Sequence, residues 1–317
     1  MQSVDIVVPC FNEASGIESF YAETRKVLDT IDGCIFHFIF INDGSSDKTP
    51  DILARFAKIN SDSDYISLSR NFGKEAAIYA GLKFSTGDCV IVMDADLQHP
   101  PDLIPEMIAG IREGYDSCAA KRISRTGETF FRSGLSRAFY RISNKMTDVS
   151  LAEGVVDYRI MKRSVVDAVL SLGEVQRFSK GLFAWVGFDT KWIPYDNITR
   201  ETGKSKWNYR NLFKYAMDGI TSFSVLPLRL VTAMGFFISV IAFVYIIITL
   251  IKTLITGIDV PGYVTTLSAV LFLGGIVEIS IGIIGEYIGH IYMEAKKRPI
   301  FIIKGTSLKK GGSDTNE

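Results

Sequence analysis

The stretch LVTAMGFFISVIAFVYIIITLI, residues 230–251, contains no charged residue. A helix of that length spans the hydrocarbon core of a bilayer, whereas a buried helix of a soluble protein rarely stays apolar on every face for so long. A second apolar stretch, residues 263–285, contains a single acid, Glu278. The sequence therefore predicts two transmembrane helices. Because a carboxylate is costly within a span, we expect Glu278 to face another helix or a second protomer.

Basic residues flank the two apolar stretches unevenly. The connecting segment TGIDVPGY contains neither lysine nor arginine, although Lys252 lies at its edge. Because basic residues concentrate on the cytoplasmic side of a membrane, both ends of the chain are predicted to be cytoplasmic and the connecting segment to lie outside. The basic residues behind this prediction are Lys204, Lys206, Arg210, Lys214 and Arg229 before the first stretch, and Lys296, Lys297 and Arg298 after the second.

The first two hundred residues alternate between strand-like and helix-like segments. Such alternation predicts an α/β domain whose mainly parallel sheet is covered on both faces. The strand-like runs are SVDIVVP, CIFHFIFI, DYISL, CVIVMD and DSCAA, and helices are predicted near residues 16–31, 49–60, 74–85 and 102–113. The formal net charge is zero, so the composition indicates no general attraction to nucleic acid.

Three polar segments directly follow predicted strands: PCFNE at 9–13, NDGSSDKT at 42–49 and DADLQHP at 94–100. Ligands of such sheets bind beyond the carboxyl ends of the strands, so all three segments are candidates for one site. Side chains alternate along a strand, which places Asp94 and Asp96 on the same side. Two neighbouring carboxylates favour a hard divalent cation with oxygen ligands. Taken alone, this pair also fits two solvated acids in a turn.

Two further segments have both a functional and a structural interpretation. In SRNFGKEAAIYAG, residues 69–81, Arg70 and Lys74 lie around Gly73, which suits either a diphosphate neighbourhood or a structural turn. In WNYRNLFKYAMDGITSF, residues 207–223, apolar residues recur near helical spacing with basic residues between them. This pattern predicts a basic amphipathic helix in the membrane interface, or alternatively a helix packed on the domain.

In chain order, eight motifs resemble those of family 2 glycosyltransferases with the glycosyltransferase-A fold. They are VVPCFNE, NDGSSDKT, LSRNFGKEAAIYAG, MDADLQHPP, AKR, VVDYRIMKR, QRFSKG and RETGKSKW. The likeness covers residues 3–300 and is strongest to membrane-anchored polyprenyl-phosphate glycosyltransferases, which include bactoprenol glucosyltransferases and dolichol-phosphate mannose synthases. It implies a Rossmann-like, mainly parallel sheet, followed by an interfacial helix and two transmembrane helices.

The resemblance implies a donor site for a nucleotide sugar and a divalent cation, Mg²⁺ or Mn²⁺. By this likeness, Asp94, Asp96 and Gln98 hold the metal against the diphosphate. The implied nucleotide-sugar-binding residues are Pro9, Glu13, Asp43, Lys74, Asp94 and Asp96. The sequence departs from the family pattern at Asn42, where an acid is common, and at Phe11, where a tyrosine is common. These departures leave the identity of the base open.

The resemblance also implies an acceptor site for polyprenyl phosphate. Asp157 in VVDYR stands where the family places a proposed base, and Asp96 and Asp157 are the catalytic candidates. A phosphate acceptor is largely anionic near neutral pH, which favours a positioning role for Asp157; the structural alternative is an acid paired with Arg159. Anionic phosphate requires cationic and hydroxyl partners, and the candidates are Arg122, Arg132, Arg200, Ser205 and Lys206.

Together these features predict an inverting, metal-dependent transfer of one hexose, with glucose from UDP-glucose to undecaprenyl phosphate as the best guess. The alternatives are a processive polysaccharide synthase and a non-catalytic nucleotide-sugar-binding membrane protein. We expect an integral membrane protein whose catalytic domain and both termini are cytoplasmic, which contacts membrane lipids and forms a homo-oligomer. The predicted divisions are a catalytic domain at 1–205, a juxtamembrane helix at 206–228, a two-helix membrane domain at 229–298 and a cytoplasmic tail at 299–317.

Overall fold

The computed structural model describes residues 1–124, 154–175, 177–196, 224–256 and 262–308. Strands and helices alternate up to β4, as the sequence pattern predicts. The strands are β1 (Gln2–Cys10), β2 (Cys34–Asn42), β3 (Ser63–Leu68), β4 (Cys89–Val92), β5 (Ser117–Ser124), β6 (Val155–Lys162), β7 (Thr190–Asp196) and β8 (Ile303–Thr306). The helices are α1 (Ile17–Leu28), α2 (Thr49–Ile59), α3 (Lys74–Phe84), α4 (Ile104–Arg112), α5 (Arg163–Ser171), α6 (Ser179–Trp185), α7 (Leu226–Thr256) and α8 (Tyr263–Ala295).

The eight strands form one mixed sheet in the order β7-β5-β6-β4-β1-β2-β3-β8. Its centre is parallel, because β1 pairs in parallel with both β2 and β4, and β2 pairs in parallel with β3. Towards one side, β6 runs antiparallel to β4 and to β5, while β7 runs parallel to β5. The α/β fold predicted from the sequence is confirmed, with a mixed sheet around a parallel centre.

The central strands are apolar throughout because helices cover both faces of the sheet. Successive side chains of a strand point to opposite faces, so Phe38 and Phe40 of β2 join one core while Ile39 and Ile41 join the other. The first core contains buried residues of α1, α2 and α4, and the second contains those of α3 and α5. Both cores lie beneath the strand ends where the polar segments begin.

Strand β8 returns from the end of the second apolar helix to the edge of the sheet. It pairs antiparallel with β3, and the Ser69 amide donates to the carbonyl of Ile302 at 2.8 Å. The Tyr65 amide donates to Ser307 Oγ at 2.8 Å, and that hydroxyl donates to Asp64 at 2.7 Å. The sequence analysis missed this strand, which lies in the segment it assigned to the tail.

Phe301 anchors the returning segment on α3. Its ring centroid is 6.2 Å from that of Tyr79 and 6.3 Å from that of Phe84, both on α3. Phe301, Ile303 and Leu308 are partly buried against the second core. The chain that follows the apolar helices therefore completes the α/β domain.

Helices α7 and α8 coincide with the two apolar stretches of the sequence. Each is long and apolar enough to cross a membrane by length and composition, within Leu226–Tyr245 and Phe272–Ala295. The Tyr287 hydroxyl of α8 donates to the Ser224 carbonyl, just before α7, at 2.5 Å. The Val175 amide of the α/β domain donates to Glu294, near the end of α8, at 2.8 Å. Glu278 is exposed in the single chain, and its contact with a second protomer stays a prediction.

We expect Phe301→Ala to lower the free energy of unfolding of the α/β domain by about 2 kcal/mol, roughly half the loss of a fully buried phenylalanine. The cause is the loss of the contacts with Tyr79 and Phe84. Ile302→Ala is a matched control, because Ile302 is adjacent and exposed, and a surface change of this kind costs about 0.5 kcal/mol or less. Denaturant unfolding of the full chain in detergent measures both. Equal losses in the two variants would show that the returning segment does not stabilise the domain.

His37 on β2 lies between two carboxylates near this edge of the sheet. A ring nitrogen is 3.0 Å from Asp64 and the other is 3.6 Å from Asp5. The contacts with Asp5 and Asp64 raise the pKa of His37 above its ordinary value, despite partial burial. Its stabilising effect is therefore complete below the ordinary histidine pKa of about 6.5, and it is lost as the pH rises through the higher pKa of the folded state.

We accordingly expect the difference in unfolding free energy between the native chain and His37→Gln to be largest in mildly acidic solution and to shrink as the pH rises. Unfolding curves of both proteins between about pH 5.5 and 9 measure this difference. A difference that stays constant over that range would contradict the proposed charge on His37.

Candidate active site

The candidate site lies where β4 and β6 bring two acids together across the sheet. Val92 pairs with Arg159 in this antiparallel ladder. Two residues beyond that pair, Asp94 lies opposite Asp157, although the two are distant in sequence. Asp94 follows the short, fully buried strand CVIV, and Asp157 precedes the buried part of β6. The register of two strands therefore places both carboxylates at one edge.

The ammonium of Lys74 bridges these two acids. Its Nζ is 2.8 Å from the Asp94 carboxylate and 2.8 Å from Asp157 Oδ2. Burial by itself raises the pKa of each carboxyl, but Lys74 outweighs this effect and holds the pKa of Asp94 and the pKa of Asp157 below their usual range. Burial lowers the pKa of Lys74, and the two carboxylates more than reverse that, so its pKa is raised. All three groups are therefore charged at neutral pH.

The two carboxylate oxygens of Asp157 differ in their hydrogen bonding. Its Oδ1 is buried and has no hydrogen-bond partner among the residues that the structure describes. The guanidinium of Arg159 lies over the Phe183 ring at 4.0 Å and donates to the Val156 carbonyl at 3.3 Å. Asp157 thus forms an ion pair with Lys74, whereas the contacts of the Arg159 guanidinium are with Phe183 and Val156.

His99 lies between Asp94 and Tyr195 and contacts both. His99 Nδ1 is 2.9 Å from the Tyr195 hydroxyl, and Nε2 is 3.7 Å from the Asp94 carboxylate. The His99 ring is buried and stacks on Tyr158. Arg122 donates a hydrogen bond to Tyr195, which places this acceptor candidate next to the same group of residues. The sequence analysis did not include Tyr195.

Asp43 holds the loop that carries Lys74. Its two carboxylate oxygens accept the amides of Phe72 at 2.7 Å and Gly73 at 2.9 Å. Burial raises the pKa of Asp43, and the two amide donors oppose that rise. Gly44 has a φ of 62°, and a Cβ there would lie 2.2 Å from the backbone of Arg70. The loops at 42–49 and 69–73 are therefore in direct contact, and only glycine fits between them.

The segment at 9–13 also joins this loop cluster. Asn12, which has a φ of 56°, accepts the Ser46 amide at 2.9 Å, and the Glu13 amide donates to Thr49 Oγ1 at 3.0 Å. Asn42 accepts the Ser45 amide at 3.0 Å and donates to Ser67 Oγ at 3.0 Å. Asn42, where the family often has an acid, is thus buried and links the loop at 42–49 to strand β3. Pro9 is partly buried at the end of β1 beside them.

The turn after Asp94 offers oxygen donors of the kind that Mg²⁺ and Mn²⁺ prefer. Asp96 and Gln98 are partly buried on this turn, where Leu97 has a φ of 53° and the Gln98 amide donates to Asp96 Oδ1 at 3.2 Å. Among the described residues, no group of three or more histidine, cysteine, aspartate or glutamate side chains is placed to hold a metal. Two carboxylates and one amide fit a cation that takes its remaining ligands from a diphosphate.

Glu75 is a further, partly buried acid that was not among the residues predicted from the sequence. Its carboxylate accepts the Ser179 amide at 2.9 Å and also the Ser179 hydroxyl, which ties α3 to the start of α6. Burial raises the pKa of Glu75. Arg177 places its guanidinium over the ring of Tyr79 at 4.3 Å. Glu75 could have been identified from the sequence, because it directly follows Lys74 in the motif SRNFGKEAAIYAG.

The remaining acceptor candidates, Arg132, Arg200, Ser205 and Lys206, lie outside the residues that the structure describes. So does the predicted amphipathic helix up to residue 223. The acceptor role of these four residues and of Arg122, and the boundaries of the predicted divisions, therefore stay predictions.

The chain belongs to glycosyl transferase family 2 and is a glycosyltransferase. The model of that family matches residues 5–170, and the model of the GtrB C-terminal hairpin matches residues 226–291. Both the resemblance and the class of enzyme predicted from the sequence are confirmed, including the glycosyltransferase-A type of fold.

Several named glycosyltransferases are similar to this protein over nearly the full chain. A Bacillus subtilis (strain 168) protein named as a glycosyltransferase, CsbB, is 48% identical over 99% of this chain and 95% of its own length. The bactoprenol glucosyl transferase of Shigella phage SfX is 40% identical over 95% of this chain and 98% of its own length. Among solved structures, a mannosyltransferase from Pyrobaculum calidifontis is 18% identical over 69% of this chain and 61% of that chain, with a TM-score of 0.47. That last likeness is too distant to bear on substrate or metal.

We expect Asp43→Asn to destabilise the fold by about 1–3 kcal/mol, because an amide nitrogen would then face one of the two backbone donors. Nucleotide binding should weaken as well, since the loop that carries Lys74 loses its anchor. Asp51→Asn is a matched control, because Asp51 is exposed on α2. Thermal unfolding and calorimetric titration with UDP measure the two effects. If both variants behave alike, Asp43 does not anchor the loop.

Proposed function

We propose that the protein transfers a single glucose residue from UDP-glucose to polyprenyl phosphate at the cytoplasmic face of a membrane. The observation that carries the proposal is the cluster of Lys74, Asp94 and Asp157 in a domain that is joined to two long apolar helices. The names of the bactoprenol glucosyl transferase relatives support the choice of sugar and of acceptor.

In the proposed donor site, Asp94, Asp96 and Gln98 hold Mg²⁺ or Mn²⁺. When bound, the cation stabilises negative charge that develops on the departing nucleoside diphosphate. The loop cluster at 9–13 and 42–49 is the proposed pocket of the base and ribose, with Pro9, Glu13 and Asp43 at its edge. Lys74 lies within reach of the same diphosphate, because it begins α3 directly beside Asp94.

In the proposed acceptor site, the phosphate of the lipid attacks the anomeric carbon from the face opposite the leaving group, which inverts the configuration. A phosphate monoester has a second pKa of about 6 and needs little help from a base. The lowered pKa of Asp157 makes its carboxylate a poor proton acceptor. We therefore assign Asp157 to positioning a sugar hydroxyl or the acceptor, with Arg122, Arg132, Arg200, Ser205 and Lys206 as the phosphate-binding group.

The two apolar helices support the proposed location of the enzyme at a membrane. The contact of Glu294 with Val175 keeps the end of the second helix next to the α/β domain, and the contact of Tyr287 with Ser224 keeps the start of the first helix next to the second. Together with the distribution of basic residues, this geometry supports a site at the cytoplasmic surface, where a lipid phosphate can enter while its tail stays in the bilayer.

Incubation of the purified full chain with labelled UDP-glucose, Mg²⁺ and undecaprenyl phosphate tests the proposal. The expected product is a lipid that carries one sugar, identified by extraction and mass spectrometry. Products with longer sugar chains would favour a processive synthase. If no common nucleotide sugar yields a lipid-linked product, the proposed function is wrong.

Asp96→Asn should reduce turnover at physiological Mg²⁺ by about a hundredfold or more, since it removes one anionic ligand of a hard cation. Asp102→Asn serves as the control, because Asp102 is exposed a few residues further along the same segment. Initial rates at several Mg²⁺ concentrations measure the effect. A near-native rate for Asp96→Asn would refute the metal assignment.

A further inference from the structure

The Lys74 ammonium forms ion pairs with two acids to which the proposed function gives other partners. Asp94 is assigned to a metal ion, and Asp157 is assigned to the substrates. Lys74 Nζ contacts Asp94 and Asp157 at 2.8 Å each, and Asp94 belongs to the proposed metal-binding turn. Two carboxylates held this close repel each other unless a cation lies between them. The chain itself supplies that cation, so part of the negative charge of the two acids is compensated before any ligand arrives.

The Lys74 side chain is more exposed to solvent than the side chains of its two partners. Its side chain is 42% exposed, whereas those of Asp94 and Asp157 are 26% and 13% exposed. Lys74 follows Gly73, which has a φ of 99° and open space around the position of a Cβ. The backbone at this point is fixed by Asp43, so any movement of the charge takes place along the flexible lysine stem.

A divalent cation that approaches the free protein must compete with this tethered ammonium for Asp94. A nucleoside diphosphate changes the balance, because its anionic oxygens offer Lys74 new partners and offer the cation new ligands. Resting on the proposed function, we propose that Lys74 is an internal counter-ion that keeps the divalent cation weakly bound until a nucleoside diphosphate enters. Cation and nucleotide then strengthen each other's binding by the same factor, as linkage requires.

Mn²⁺ binding to the full chain in detergent tests this inference without any measurement of turnover. Free Mn²⁺ is measured by electron paramagnetic resonance with and without UDP. In the absence of UDP, we expect Lys74→Met to bind Mn²⁺ about tenfold tighter than the native chain, the equivalent of one charge-assisted contact released at Asp94. Lys74→Arg keeps the charge and should bind Mn²⁺ as weakly as the native chain.

Lys83→Met is the matched control, because Lys83 lies exposed on the same helix. It should leave Mn²⁺ binding unchanged. UDP should strengthen Mn²⁺ binding by about tenfold or more in the native chain and clearly less in Lys74→Met, since the counter-ion has already been removed. The comparison within the native chain does not depend on the folding of any variant.

Two results would overturn the inference alone: Mn²⁺ binding to the native chain that is equally tight with and without UDP, or Lys74→Met that binds Mn²⁺ no tighter than the native chain when UDP is absent. If the native chain binds no Mn²⁺ even with UDP, the metal dependence of the proposed function falls together with the inference. The outcomes therefore separate a failure of Lys74 as counter-ion from a failure of the metal site.

Discussion

The Lys74 ammonium lies 2.8 Å from the carboxylates of Asp94 and Asp157, and the neighbouring elements are arranged to keep it there. The antiparallel register of β4 and β6 places the two acids opposite each other. Asp43 fixes the loop in front of α3, and Glu75 ties the first turn of α3 to Ser179. A buried acid pair without this cation would carry a large desolvation cost. The electrostatic compensation of the acids is therefore a condition for the architecture of the site.

The segment that follows the second apolar helix contacts the same helix, α3, further along its length. After the second apolar helix, Phe301 packs on Tyr79 and Phe84 of α3, and β8 closes the edge of the sheet next to β3. Helix α3 is thus held by the loops at 42–49 and 69–73 at its beginning and by the returning segment near its end. The end of α8 contacts the α/β domain through the Val175–Glu294 hydrogen bond and also continues into β8, so the orientation of the site relative to the hairpin is restrained by more than the covalent connection alone.

The sequence was sufficient to predict β1 to β4, the helices between them, and the two apolar helices, because each has a strong local pattern. It also predicted that the segments at 9–13, 42–49 and 94–100 end strands, and the structure brings the first two into hydrogen-bonded contact. The meeting of Asp94 with Asp157 was not predicted, since no local pattern reveals that β6 runs antiparallel to β4. Strand β8 was missed for the same reason: its pairing joins residues that are far apart in sequence.

The roles of individual polar residues were harder to predict, because a side chain of one type fits several partners. Lys74 was assigned to the diphosphate from its place beside Gly73, whereas the structure shows it bound to two acids. Asn42 was noted as a departure from the family, and in the structure it links the loop at 42–49 to strand β3.

Experimental structures of the full chain, determined without ligands and with UDP and Mn²⁺, test the account most directly through the position of Lys74 Nζ. In the free protein, we expect Nζ to lie within hydrogen-bonding distance of both Asp94 and Asp157. In the complex, we expect Mn²⁺ to contact Asp94 and Asp96, and Nζ to contact the diphosphate instead of Asp94. A complex in which Nζ keeps both carboxylates while Mn²⁺ and UDP are bound would contradict it.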